Sequence, residues 1–528
     1  AFSEEIKGYR NELSDISGEG QGQREQLYAT LYASHQQFAT ERLPQAQQTD
    51  MRVIGEWLRL QAQYGEPADI QTLAELVQFM AYVHVIKVRE DCEGYNDRIR
   101  LMGRRLRDER RQLIERQKSD ALPPGALLAA WSTQIDSFSA LPPARNPFYL
   151  GLARRMGRVD PTLINDNVAS QFLENMAELL EKEVYPSANE LSAYLKENPG
   201  QAPDSLSFQR RFEREAGPGK AAAIFATAMQ DVAHYEGLVR QRLDSMGIRT
   251  ATATAIAAHV QAEARAYPAD GAARRRFLDS LGGQVQQAYT LAEGLFDTMP
   301  ARRISVEALH VYLEPYTEAL SYISPALDGS REGILLINLH KAGELAPWTL
   351  APALFEATFP GQHLQALLLR GNPEVAPLRK ALPFDAWRQG WGLYAASLMD
   401  ENLAYFSGDD WRQIGYWRFM LLNSARAAAD AGLHTQGWTP EEAKVFLEQK
   451  TGVQDAWESL RLLASPGKAA AAWEGYHCFR VLKQEASTRL GTRFYLQDYH
   501  QFVLSKGPMP LYMLEIEQQN HLAKEMAK

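Results

Sequence analysis

Cysteine is nearly absent: Cys92 and Cys478 are the only two in 528 residues. Two thiols so far apart exclude a disulfide framework, and neither stands in a spacing that suggests metal binding or redox chemistry, so both are expected to be structural. Long apolar runs are missing too. No stretch approaches the roughly 18 residues that a membrane span requires, which predicts a soluble chain. Positive charge is in deficit, with 56 Lys and Arg against 65 Asp and Glu and a net charge of −9. No global basic field would draw nucleic acid. The chain opens at Ala1 without a starting methionine. A removed secretory signal, lipoprotein leader or tag would each account for that, so bacterial periplasm, lipoprotein anchoring and cytoplasm all stay open.

What is present is ordinary globular material, 45% hydrophobic and 23% charged, enough for a sizeable core. Apolar residues recur at helical spacing almost throughout, as at Leu101, Met102, Leu106, Leu113 and Ile114, and predict a long amphipathic helix. The arginines along that stretch alternate with Asp97, Asp108, Glu109 and Glu115, the pattern of a solvated face rather than of an anion patch. Pro and Gly clusters at Leu122–Gly125, Leu141–Pro147, Asn198–Pro203 and Gly217–Gly219 separate helices rather than domains. The run Ile334, Leu335, Leu336, Ile337 and Leu339, after the turn-like Asp328-Gly329-Ser330, predicts a strand near 333–340. The expected fold is mainly α with that one small β element. One continuous unit over 1–528 is expected, with a division into 1–150 and 151–528 as the alternative.

Two loop-like motifs carry no chemistry. Gly18-Glu19-Gly20-Gln21-Gly22 follows no strand and lacks dinucleotide-turn spacing, so it is expected to be a flexible connection. Ser330 lacks the glycine two residues before it that a nucleophile elbow needs.

The informative blocks come later. They are Tyr322 through Gly333, Leu354 through Gln365, Pro383-Phe384, Gln389 through Ala396, Arg426 through His434 with Gly437-Trp438, Pro466-Gly467, and Phe494 through His500 with Gly507 and Pro510-Leu511. In this order they resemble the bacterial family called domain of unknown function 885, whose members look like helical zinc metallopeptidases. The resemblance covers the C-terminal half by motif. It implies a large helical metallopeptidase-like fold.

In that family the segment matching Glu356–His363 reads His-Glu-x-x-Pro-Gly-His-His, and the next motif reads Glu-Gly-Trp-Ala-Leu-Tyr-x-Glu. Zinc takes three protein ligands plus a water, and a nearby Glu must accept that water's proton. This chain departs at nearly every such place. Glu356 stands for the first His, Ala357 for the general-base Glu and Gln362 for the next His, with His363 retained. Gln389 and Ala396 replace the two glutamates. The Pro-Gly, Gly-Trp and Leu-Tyr framework survives, so the resemblance implies a preserved scaffold from which chemistry has been removed. No His in the chain is followed by Glu, so no displaced H-E-x-x-H motif restores a zinc site.

The remaining groups still suggest a cleft. Glu356 and His363 are seven apart and share a face if one helix continues through Pro360-Gly361; Gln389 and Ala396 have the same separation. Arg331, Asn338, Arg426, Asp430 and His434 match positions that the family also carries, and would orient a substrate carboxylate or brace the cleft. For Asp430 and His434 a buried helix-terminal hydrogen-bond pair is the alternative. Ala472-Trp473 stands where the family often has Tyr-Lys, with Lys468 nearby, which implies a less charged pocket walled by Trp473 and Trp391. Tyr322, Gln362, Gln389 and Tyr394 complete the expected lining.

Three readings follow. The first is a descendant of the peptidase-like family that binds a peptide or small molecule without zinc or other cofactor. The second is a metal-independent enzyme on an amino-acid-like substrate, with Glu356 and His363 as acid and base. The third is a zinc peptidase with atypical ligands.

Overall fold

A computed structural model describes residues 13–64, 73–249, 252–262, 270–341 and 346–527. Helices dominate. The charged stretch is one helix, Arg89–Lys118, whose arginines pair along its own surface, Arg100 with Asp97 at 2.6 Å and Arg111 with Asp108 at 2.8 Å. All four Pro/Gly clusters named above fall at helix boundaries, as do the breaks at Pro360-Gly361, Ser407-Gly408 and Ser465-Pro466-Gly467. Cys92 and Cys478 are buried and free.

One expectation is overturned at the start. Gly18 through Gly22 is the opening of a helix, Gly18–Gln36, and not a connection. Ser17 caps it, its hydroxyl accepting the Gly20 N–H at 3.2 Å, which supplies one of the orphan donors of the first turn.

The expected strand is Gly333–Ile337, the centre of a three-stranded sheet. We call the strands β1 (Ile304–Ala308), β2 (Leu320–Ile323) and β3 (Gly333–Ile337). β1 runs parallel to β3 and β2 antiparallel, with Leu320 opposite Ile337 and Ile323 opposite Ile334. β1 and β2 are too short to stand out from the helical pattern.

β3 is buried at all five positions because apolar cores lie on both its faces. Ile334 and Leu336 join the first core, otherwise built mainly from residues 73–195. Leu335 and Ile337 join the second, built mainly from residues 208–522. The period of two sends alternate side chains into different lobes. Position 150 falls inside the Pro147–Met156 helix, whose Phe148 and Leu152 belong to the first core.

Within the second lobe, the Asp385–Glu401 helix is wedged between neighbours by its glycines. A Cβ on Gly390 would lie 2.6 Å from the backbone of Gly475, and one on Gly475 would lie 2.0 Å from the Ala386 carbonyl. Only two glycines permit the Asp385–Glu401 and Lys468–Leu490 helices to approach this closely. On its other side, a Cβ on Gly392 would lie 2.9 Å from Cγ of Glu356 and 3.1 Å from Cγ of Gln362.

Candidate functional site

A cavity of about 460 Å³ opens where the lobes meet. Glu75, Gln78 and Gln134 face it from the first lobe. Opposite stand Leu320, Ser321 and Tyr322 of β2, then Glu356, Ala357, Gln362, Gln389, Arg426, Glu458, Arg461, Lys468 and Ala472. The Pro360-Gly361 break, the Gly-Trp-Gly segment and the helix after Pro466-Gly467 all deliver residues to one space.

Glu356 ends the Pro347–Ala357 helix. Among the described residues nothing hydrogen-bonds its carboxyl. Burial and the neighbouring Glu318 push its pKa up to about 8, although Arg426 pulls the other way. It is therefore held protonated at neutral pH, able to donate one hydrogen bond and accept others. Gln362 and Gln389 add neutral amides, and Ala357 and Ala472 add only methyl groups. The Gln389 amide donates to Asp385 Oδ1 at 3.3 Å.

His363 does not share this face. The helix stops at Ala357 and a new one, Gln362–Gly371, begins five residues on. That places His363 behind the cavity wall, fully buried, with Nδ1 2.8 Å from the Tyr322 hydroxyl and Nε2 without a partner. Burial, helped by Arg370 and Arg302, lowers its pKa to about 3, so the ring is neutral. Ala396 is likewise buried in the core and does not face the cavity.

Arg426 does line the cavity, but its fork is occupied. Nε and Nη2 donate to both carboxylate oxygens of Glu458 at 3.0 and 2.6 Å, and Glu318 lies 3.3 Å away. Arg461 joins Glu458 at 2.8 Å and Asp455 at 2.7 Å, and Lys341 reaches Asp455 at 2.6 Å. Burial would raise Glu458, yet Arg426 and Arg461 outweigh it and hold the carboxyl down at about 2. This network forms the charged end of the cavity. Sequence reasoning found Arg426, placed Lys468 near the pocket, and missed Glu318, Glu458 and Arg461. Only the three-residue spacing of Glu458 and Arg461 could have hinted at it.

The other expected residues lie elsewhere. Asn338 braces the turn after β3, donating to the carbonyls of Glu314 (2.8 Å) and Thr317 (2.9 Å) and accepting from the His340 N–H at 3.1 Å. Arg331 reaches the Glu332 carbonyl at 3.0 Å, outside the cavity. Trp391 and Trp473 are core residues rather than walls: their indole N–H groups donate to the Pro360 carbonyl (3.1 Å) and to Asp231 (2.9 Å). The Tyr394 hydroxyl meets His500 at 3.0 Å in the same core. Asp430 accepts the Gly467 and Ala470 N–H groups at 2.9 and 3.1 Å, with His434 at 3.2 Å, so the pair caps a buried helix start.

The zinc implied by the resemblance does not fit these residues. Glu356 alone at the cavity offers a ligand type at the matching positions, while His363 turns to Tyr322. Among the described residues, no three His, Cys, Asp or Glu side chains come together in a way that could hold a metal ion. Nor, among them, is any helix long and apolar enough to cross a membrane.

The profile of one family, described as bacterial protein of unknown function (DUF885), matches residues 4–517. No curated protein matches. Solved structures share the fold, two of them as follows. A candidate lipoprotein from Colwellia psychrerythraea is 20% identical with a TM-score of 0.89, covering 99% of this chain and 94% of that one. A candidate lipoprotein of unknown function from Shewanella oneidensis is 14% identical with a TM-score of 0.68, covering 97% and 94%.

Proposed function

We infer, from the premise that this chain belongs to the family described as bacterial protein of unknown function (DUF885), that it is a peptide-binding protein on a metallopeptidase-like scaffold. It holds an extended peptide in the interlobe cavity and does not cleave it with zinc.

The free edge of β2 carries this reading. The Asn338 N–H donates to the Ala319 carbonyl at 3.0 Å, which sets the antiparallel phase: Ser321 and Ile323 bond to β3, while Leu320 and Tyr322 turn their N–H and C=O groups outward. Among the described residues no group takes them. Leu320, Ser321 and Tyr322 all line the cavity. Their side chains alternate in direction, so three in succession share one cavity only where it runs along the strand's edge. Unpaired backbone groups beside a cavity suit an added strand. The Ser321 hydroxyl, buried without a partner, supports the same guest. Protonated Glu356 and the amides of Gln362 and Gln389 would meet its carbonyls and N–H groups from the far wall. The candidate-lipoprotein neighbours support a place in the bacterial envelope.

The test is a library of short peptides against the full chain, with binding read by calorimetry, cleavage read by mass spectrometry, and metal content measured in parallel. Saturable binding without cleavage is expected. Leu320→Pro, which removes an outward N–H and leaves the β3 ladder intact, should weaken binding about tenfold, the equivalent of about 1.4 kcal/mol. Cleavage abolished by a chelator would overturn the proposal.

One observation favours a second reading, a metal-independent enzyme. A carboxyl kept protonated up to about pH 8 is a competent general acid. Chelator-resistant turnover lost in Glu356→Gln would establish it over simple binding.

A further inference from the structure

A larger cavity, about 730 Å³, lies across the turn joining the Glu458–Ala464 and Lys468–Leu490 helices and shares only Ala464 with the cleft. Four guanidinium groups face it. Arg116 comes from the last turn of the Arg89–Lys118 helix in the first lobe, and Arg210, Arg211 and Arg214 from the Ser205–Ala216 helix in the second.

Counter-charge on the cavity surface itself is limited, although Glu215, Asp385 and Asp430 act on Arg211 from behind the wall. Asp204 lines the cavity, but its oxygens are occupied in capping, accepting the N–H groups of Leu206 (2.9 Å) and Ser207 (3.1 Å) and the Ser207 hydroxyl (2.7 Å). Asp120 is the other acid on the lining. Glu215, 3.5 Å from Arg214, sits outside the lining and accepts the Ala386 N–H at 2.6 Å. Like charges three and four apart on one helix repel, and an anion between them would relieve that. The chain as a whole is acidic, so this concentration of arginine is local.

A separate observation points to a guest. Gln61, 3% exposed, lines the same cavity, and its side-chain carbonyl has no hydrogen-bond partner. A buried acceptor left unpaired is costly unless a donor arrives. The Arg210 guanidinium lies over the Tyr64 ring at 4.9 Å, which orients its plane. Leu60, Leu122, Leu463, Pro123, Pro203 and Pro466 give the wall an apolar part, beside the polar Gln201, Ser207 and His434.

We propose that this cavity binds a small organic anion. Its carboxylate or phosphate group is gripped by arginines from both lobes, an O–H or N–H reaches Gln61, and a hydrocarbon body rests on the leucines and prolines. Guanidinium forks suit either head group. The site stands independently of the peptide reading of the cleft.

The test titrates the full chain with phenyl phosphate and with benzoate at constant ionic strength, with benzyl alcohol as the uncharged comparison. Saturable binding of at least one anion and none of the alcohol is expected, and the tighter of the two identifies the head group. Arg116→Gln/Arg210→Gln alters partly exposed residues, so the protein should fold as before by circular dichroism while affinity falls tenfold or more. Gln61→Leu should raise the Tm of the unliganded protein and weaken binding severalfold. Binding of neither anion, or affinity unchanged in the double variant, overturns the proposal.

Discussion

Glu356 shows how far one carboxyl can be displaced from its ordinary behaviour when it is buried beside a second carboxyl, that of Glu318. Its pKa of about 8 lies above the ordinary carboxyl value of 4.5, so between those pH values the folded protein binds more protons than the unfolded one. That contribution is complete below pH 4.5 and is lost as pH rises through 8. Glu356→Gln, which mimics the protonated carboxyl, keeps it at every pH. Denaturation midpoints of the variant should match the wild type near pH 5 and exceed it near pH 9; equal midpoints at pH 9 would refute the assignment. Glu458 behaves in the opposite sense, since Arg426 and Arg461 both depend on it. Glu458→Gln leaves two guanidiniums short of charge in a buried network, a loss of roughly 3–5 kcal/mol in urea denaturation. Glu318→Gln should cost about 1 kcal/mol or less, because that side chain is 43% exposed.

At the scale of elements, the site depends on how helices begin and how closely they pass. Asp430 reaches across from the Asp410–Thr435 helix to cap the Lys468–Leu490 helix. Asp430→Ala would leave two buried N–H groups without an acceptor, and about 2–4 kcal/mol of stability should be lost; Asp430→Asn, which keeps one acceptor oxygen, should recover about half. A loss no larger for alanine than for asparagine would contradict the capping role. The boundaries of these helices were legible because Pro and Gly punctuate them. The partner of Asp430 was not, since a cap supplied from 37 residues away leaves no local pattern. The retained Gly390 and Gly392 were visible as motif residues, but that they serve two different neighbours emerges only once three helices are in place.

Among the described residues two main cores meet on one buried strand, with a smaller third around Ile256 and Trp348, and titratable groups within the fold are held neutral. His363, His500 and His310 are lowered by burial to about 3, 4 and 4. Below pH 6.5 the unfolded chain takes up protons that these rings cannot accept while folded, so stability falls as pH drops from 6.5 toward 4. Glu356 works against that trend in part of the same window. The acid limb should therefore be steeper in Glu356→Gln than in the wild type, read as the urea midpoint at pH 7 against pH 5. A variant midpoint unchanged between those pH values would show that the rings are not held neutral.

The amino-acid sequence alone determined the helical character, the breaks and the central strand, because these follow from local periodicity and turn chemistry. Tertiary structure decided which polar groups meet. Glu356 and His363, seven residues apart, part company at a helix break, while Glu318, Arg426, Glu458 and Arg461 converge from four segments. Hydrogen-bond and charge partners are set by distance in space, and a chain that doubles back between two cores does not preserve that distance along its length.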